Sequence, residues 1–456
     1  MTTAGAPPST GELVLHPLSL QQEFLCLFDR GDEAGPFGPR YHVVDGWRLT
    51  GHVDVPALRA ALADVVERHE SLRTEVVRGD GARGQVVHPP SEPVLTTHDL
   101  PGVPAEQRAH RAEEFMNDIE AGVFELGRRP LLRAALGRFD DQDAVLVLNS
   151  HHAAVDAWSM QVIMRDVAVF YARRTGHAVA DLPPVEQYRE HAVRQRTSAD
   201  TPEVRARRAY WGRKLAGAEL LTVAVDRKPD PHERPVTSWR RFAYDAATRA
   251  AVERTARTHR ATPFMVLTAA FAVHCLRTTG VADVVVPTFT PGREDARTHD
   301  SVGSYFNFVP LRVDLRDCAS FSDALARART TCLESYANEL PLSLVLGEAP
   351  GLMASTAREG QVPFVFQVVQ SPFTMERERV GGLEYTSIWD RRMSQEIGSE
   401  APDGMIWSFH FGPSDDIAGL LGYSRHLFTE ATVTRAITGF GAALEELSTR
   451  PDTPVR

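Results

Sequence analysis

His151-His152-Ala153-Ala154-Val155-Asp156-Ala157-Trp158-Ser159 is the stretch on which the reading of this chain turns. It follows a short apolar run, residues 144–148 (AVLVL), suited to a buried strand. It precedes residues 159–173 (SMQVIMRDVAVFYAR), whose apolar positions recur at helical spacing. Two adjacent histidines at a strand's end, with an aspartate four residues after the second, are hard to account for by packing. Adjacent residues leaving a strand point in different directions, so one ring is expected to face a substrate while the other packs. Histidine suits proton transfer near neutrality, with an unperturbed pKa of about 6.5. Asp156 is placed to accept a hydrogen bond or to pair with an arginine, and Ser159 to cap or enter the following helix. No serine or cysteine in the run sits as a nucleophile. The segment therefore favours a base assisting direct attack on an activated acyl group over a covalent acyl-enzyme.

Outward from this segment, helical and strand patterns alternate, which predicts an α/β or α+β architecture. Residues 57–70 read as a helix, and strand-like runs at 74–77 and 85–88 bracket a Gly-rich turn. The Pro-Pro-containing stretch 176–186 reads as a linker and places a boundary near residue 181. The second half repeats the alternation. Helices are expected at 247–259, 264–277, 321–337 and 430–447, and strands at 281–288, 309–315 and 362–369. Gly79-Asp80-Gly81-Ala82-Arg83-Gly84 matches GxGxxG but lies between two strand-like runs, so it reads as a hairpin turn and not a dinucleotide loop. His69-Glu70 begins an HExxH but lacks the second histidine, so no metal site is expected there.

Composition excludes further classes. Of 456 residues 43% are hydrophobic and 24% charged, an ordinary globular balance. Fifty Lys and Arg against sixty Asp and Glu give a net charge of −10, which argues against nucleic acid held by bulk electrostatics. The four cysteines, Cys26, Cys275, Cys318 and Cys332, form no CxxC pair and no disulfide framework, so a reducing cytoplasm is the expected setting. No basic leader with an apolar core opens the chain. The longest apolar stretch, 261–276, falls short of the roughly 20 residues a membrane span needs, so no membrane partner is expected.

The central segment closely resembles the HHxxxDG signature of condensation domains from nonribosomal peptide synthetases, in a superfamily that includes chloramphenicol acetyltransferase. Other motifs resemble that family along the whole chain: Ser19 and Gln22 (LSLQQEF), Arg68-His69-Glu70-Ser71-Leu72-Arg73-Thr74, Tyr188 and Ala192, Pro291-Gly292-Arg293, Val302-Gly303-Ser304-Tyr305-Phe306-Asn307, and Pro363-Phe364-Val365-Phe366-Gln367. Trp158 preceding Ser159, with both histidines kept, resembles bond-forming domains and not epimerisation or heterocyclisation domains. Ala157 departs from the family's glycine. Alanine keeps a backbone donor for an oxyanion but narrows the allowed backbone angles.

The resemblance implies two chloramphenicol-acetyltransferase-like lobes, 1–180 and 181–456, forming a V-shaped pseudo-dimer with an active-site tunnel between them. It implies transfer of an acyl or aminoacyl group from the phosphopantetheine thioester of a carrier protein to a hydroxyl or amine, with no cofactor of the enzyme's own. His152 would deprotonate or orient the attacking group, and His151 and Asp156 would hold the catalytic segment. Arg293 would be the charge partner of Asp156, Asn307 and Trp158 would shape the tunnel, and Arg68 and Arg73 would brace the site. With few residues after the last helix, the expected enzyme is free-standing, meets its carrier in trans and acts on a soluble small-molecule acceptor. An acidic carrier would need a local basic patch, for which Arg205, Arg207, Arg208, Arg213 and Lys214 are candidates. The competing readings are an acyl-CoA-dependent acyltransferase, told apart by its donor, and a non-catalytic recruitment domain, which would lack an intact HHxxxD.

Overall fold

Strand Asp143–His151 (DAVLVLNSH) is buried along nearly its whole length, and an unbroken Val/Leu run of this kind belongs in a sheet covered on both faces. The computed structural model describes residues 14–79, 83–228, 235–369, 374–401, 404–412 and 414–456. In it this strand sits inside a six-stranded sheet ordered Glu376–Val380, Leu383–Ser387, His42–Thr50, Asp143–His151, Leu132–Asp140 and Val94–Asp99. Helices Val55–Arg68 and Ala157–Arg174 cover one face, through Leu62, Val65, Ile163 and Val167 against Leu146 and Leu148. Helix Arg108–Glu120 covers the other, placing Phe115 and Met116 against Val145 and Val147. Two of the six strands belong to the second half of the chain, which crosses back to set Tyr385 opposite Leu49.

The second half builds a five-stranded sheet from Thr222–Ala224, Gln361–Val368, Met405–His410, Ile417–Ser424 and Thr237–Tyr244. Phe366, Trp407 and Phe409 on this sheet pack with Phe271 and Phe440 from helices Pro263–Thr279 and Glu430–Thr449. Helix Pro263–Thr279 is framed by a Thr262 cap, a proline in its first turn and Gly280 at φ +77°, the sequence arrangement that starts and stops a helix cleanly. Strands Asp283–Thr290 and Asn307–Asp314 pair antiparallel, with Pro287 opposite Pro310.

The mixed α/β architecture is the one the alternating pattern predicts. Helix Phe321–Ala337 spans the expected residues, and helices Ala246–Thr258 and Glu430–Thr449 differ from expectation only near their ends. The expected hairpin flanks the GxGxxG run: Thr74–Val77 and Gly84–Val87 pair antiparallel with Val77 opposite Gly84, and residues 80–82 lie outside the described residues. Among the described residues, no single helix is long and apolar enough to cross a membrane.

Candidate active site

Strand Asp143–His151 ends with the His151 amide donating to the Leu131 carbonyl, 3.3 Å. The chain then turns, with the Ala154 amide donating back to the His151 carbonyl at 2.9 Å, and enters helix Ala157–Arg174 at Asp156. That aspartate is the cap, accepting from the Ser159 amide at 2.7 Å, while Ser159 sits inside the first turn and donates its hydroxyl to the same oxygen.

The two histidines face different surroundings. His151 is buried, donates Nε2–H to the Gly38 carbonyl (3.1 Å) and accepts from the Ala153 amide at Nδ1 (3.3 Å). Both ring nitrogens are used in the neutral form, and burial pushes its pKa down to about 3. His152 donates Nδ1–H to the Val155 carbonyl at 2.8 Å. A carbonyl can only accept, so the lone pair is left on Nε2. The ring stacks on Tyr41, centroids 4.7 Å apart at 14°, and leans on Phe306 at 5.0 Å. Burial lowers the His152 pKa, with the Val155 bond a smaller opposing effect, so the ring is neutral and able to accept a proton at pH 7.

His152 and Ala157 line a cavity of about 330 Å³ whose walls come from both halves of the chain. Tyr41, Asp45 and Glu120 contribute from one side, and Trp239, Gln367, Ser408 and His410 from the other. Strand His42–Thr50 is covered by Leu383–Ser387 only along Trp47–Thr50, so its edge nearer His42 borders the cavity. Ala157 is the first helical residue, where a backbone N–H has no intrahelical partner and the helix dipole is positive. Its φ is not positive, so the alanine that replaces the family's glycine is accommodated without strain.

Asp156 and Arg293 hold the two halves together at this point. Arg293 Nη2 donates to Asp156 Oδ1 (3.0 Å), Oδ2 (3.2 Å) and Ser159 Oγ (2.8 Å), and Nη1 donates to the carbonyls of Thr298 and Ser301. The Tyr305 amide donates to Asp156 Oδ2 at 3.1 Å, and the Tyr305 ring lies 4.2 Å below the guanidinium. Gly292 is required here: its φ is +64°, and a Cβ would meet the Tyr305 carbonyl oxygen at 2.0 Å. Asp156 thus positions the segment that carries His152, and its oxygens are occupied.

The remaining residues singled out in the sequence stand away from the cavity. Trp158 donates Nε1–H to the His299 carbonyl at 2.9 Å and lies over Arg293 and His299, at the junction of the halves. Asn307 is buried and holds the turn before helix Leu342–Glu348, bonding Glu339, the Leu340 carbonyl and the Leu342 amide. Arg68 pairs with Asp166 at 2.8 Å and with the Pro183 carbonyl, and Arg73 bonds the His88 and Val66 carbonyls. These residues buttress elements; none lines the cavity around His152. Ser19 and Gln22 form a capping box on helix Leu20–Cys26, and Ser19 also meets the Tyr188 hydroxyl at 2.8 Å.

The expected basic patch is largely neutralised. Arg205 pairs with Asp200, Arg207 with Glu294, Arg208 with Glu348 and Lys214 with Glu334, each at 2.7–3.2 Å. A run of cations in sequence becomes, once folded, a run of exposed ion pairs.

Several wall residues carry no motif of their own. Glu120 is the clearest: burial opposes its ionisation, yet Arg391 at 2.7 Å and Arg241 at 4.0 Å hold its carboxyl at about 2. Burial in turn brings Arg241 down to about 10. Tyr41 is equally silent in the sequence. The one available signal was Asp45 itself, a carboxylate inside the otherwise strand-like HVVDGWRLT.

Comparison with known proteins agrees with this fold. The structure of SgcC5 from Streptomyces globisporus, solved with (R)-(-)-1-(2-naphthyl)-1,2-ethanediol and sucrose, superimposes with a TM-score of 0.92 at 44% identity, over 96% of this chain and 100% of that one. The X-domain from teicoplanin biosynthesis shares the fold, with a TM-score of 0.76 at 24% identity over 99% of this chain and 98% of the other. A linear gramicidin synthase of Brevibacillus parabrevis is 30% identical over 451 residues, 96% of this chain. The chain spans only 8% of the length of that synthase. With the Condensation domain family matching residues 38–456 around a histidine-lined cavity between two sheets, the chain belongs to the condensation-domain family.

Proposed function

We propose that this protein is an acyltransferase that moves an acyl or aminoacyl group from the phosphopantetheine thioester of a carrier protein, met in trans, to a hydroxyl or amine of a small-molecule acceptor. The product is an ester or an amide. The observation that carries this reading is His152, neutral, with Nδ1–H fixed on Val155 and its ring on the wall of a cavity built by both halves. His152 Nε2 takes the proton as the acceptor's oxygen or nitrogen attacks the thioester carbonyl. The bond from carbonyl carbon to sulfur then breaks, and the proton leaves with the thiol. The Ala157 amide, at the positive end of its helix, is the donor placed for the developing oxyanion.

Direct transfer is favoured over an acyl-enzyme. Among the described residues no cysteine lines the cavity, and neither of its serines bonds a histidine: Ser399 donates to Glu120 at 2.9 Å and Ser408 accepts from Gln367 Nε2 at 2.9 Å. An acceptor hydroxyl is supported by the aryl diol found with SgcC5. The test is product mass spectrometry with one acyl group offered on a carrier protein and as its coenzyme A thioester, against paired alcohol and amine acceptors. Carrier-dependent product that disappears in His152→Ala, with an unchanged circular dichroism spectrum, is the expected result. Equal use of acyl-CoA would assign a coenzyme-A-dependent enzyme. Full activity of His152→Ala would remove the base, and no product from any thioester would leave a recruitment domain.

A further inference from the structure

Asp45, half-buried on its strand, stands apart from the ion-paired carboxylates of the first half. Glu120 is paired with Arg391, Asp156 with Arg293, and Asp166 with Arg68, Arg165 and His69, each within 3.0 Å. Asp45 lies on the cavity wall with a single hydrogen bond among the described residues, a long one of 3.3 Å from Gln161 Nε2. The cation that acts on it, Arg391, bonds Glu120, Asn117 and Gln395. A carboxylate partly withdrawn from water, with no cation in contact, gains from a positively charged partner, and this one opens onto the cavity.

The rest of that wall narrows the kind of partner. Trp239, Trp389 and Tyr41 line the same cavity. Glu120, Glu400, Arg241 and Arg391 share this wall, but among the described residues no group of three or more His, Cys, Asp or Glu could hold a metal ion, and what faces the space at Asp45 is a carboxylate beside aromatic rings. It suits an organic ammonium, which a carboxylate pairs with and ring faces also attract. Position narrows it further. Asp45 is three residues along its strand from His42, which faces His151 across the sheet, or about 10 Å at the usual rise per residue.

Building on the acyl-transfer reading above, we propose that Asp45 receives a protonated amine carried by one of the two substrates, several bonds from the atom that reacts at His152. The amine belongs to the acyl donor or to the acceptor, and the chemistry that recognises it is the same.

The experiment measures kcat/KM for donors in free amine, N-acetyl and des-amino forms against one acceptor. The same three forms of an acceptor are then tested against one donor. In the wild-type protein one of the two series should show a preference of about 10- to 100-fold for the free amine, the range of a hydrogen bond to a charged group. That preference should collapse to within about threefold in Asp45→Asn, which keeps the shape of the side chain. No preference in either series overturns the assignment without any variant being needed, and a preference that survives in Asp45→Asn overturns it as well. Transfer without amine selectivity refutes this inference and leaves the acyl-transfer reading standing, whereas absence of transfer from every thioester refutes both.

Discussion

Replacing Asp156 with alanine should cost the fold more than any other single change in the HHxxxD segment. The wild-type carboxylate accepts from the Ser159 amide and hydroxyl, the Tyr305 amide and the Arg293 guanidinium, all within 3.2 Å. Its side chain is 4% exposed and that of Arg293 1%. Breaking a pair buried this deeply costs about 3–5 kcal/mol, because the surviving charge is left without a partner. Losing the cap of helix Ala157–Arg174 adds about 1 kcal/mol. At about 2.1 cal/mol/K per residue, a chain of 456 residues has an unfolding entropy near 1 kcal/mol/K. If the whole chain unfolds in one step, the loss of about 4–6 kcal/mol lowers Tm by about 4–6 °C. The assay is scanning calorimetry of wild type, Asp156→Ala, Arg293→Met and the double variant, with transfer measured in parallel. The double variant should recover part of the loss, since removing both charges leaves neither stranded. A Tm within about 1 °C of wild type for Asp156→Ala, with transfer abolished, would refute the reasoning. It would move Asp156 from positioning the segment to acting on the substrate.

If His152 is the base, kcat/KM should rise with pH through a pKa below the ordinary histidine value and be flat above neutrality, because burial lowers its pKa; a rising limb centred above pH 7 would contradict this. Acid should destabilise the fold early. Burial holds His151 at about 3, and His191 and His410 at about 4, so below pH 6.5 the unfolded chain takes up protons that the folded one refuses. Stability is then present above pH 6.5 and lost as pH falls towards 4, at up to about 1.4 kcal/mol per pH unit for each ring. Urea midpoints at pH 8, 6 and 5 test this, and a constant midpoint would show that these rings are not buried and neutral. Tyr41→Leu removes the ring stacked on His152 and should lower kcat about tenfold with little change in KM, the expected signature of a displaced base. Arg205→Gln with Arg207→Gln should change the carrier's KM less than about twofold, since both arginines already pair with carboxylates; a larger rise would restore that run as a docking surface.

The HHxxxD segment was legible because its residue types and local structure are written in adjacent positions. A buried strand, two histidines and a capped helix all fall within residues 143–174. Long helices were legible for the same reason, their periodicity being a property of contiguous sequence. Strand His42–Thr50 was not, because HVVDGWRLT places an aspartate, a glycine and an arginine among its apolar residues. Folding explains each of them. Asp45 lines the cavity, Gly46 lies where a Cβ would meet Met116 at 2.5 Å, and Arg48 pairs with Asp143 on the next strand. What looks like a break in a strand pattern is the imprint of a cavity and of two partners distant in sequence.

The same distinction explains why motif residues divided into those near the cavity and those away from it. Arg68, Asn307 and Trp158 each end on a backbone carbonyl or a carboxylate of another element, so their contribution is to the relative placement of pieces that carry no chemistry themselves. Gly292 and Arg293 act likewise, bringing a turn of the second half against Asp156 of the first. The cavity that His152 faces is closed only with residues of the second sheet. On the proposed acyl-transfer reading, the ion pair that brings the second half to Asp156 is as much a condition of transfer as the ring proposed to accept the proton. Arg293→Lys tests that dependence: lysine keeps the charge but cannot reach Asp156, Ser159, Thr298 and Ser301 at once, as the guanidinium does. It should lower kcat while leaving His152 chemically intact, and an unchanged kcat would show that the two halves hold the cavity without this contact.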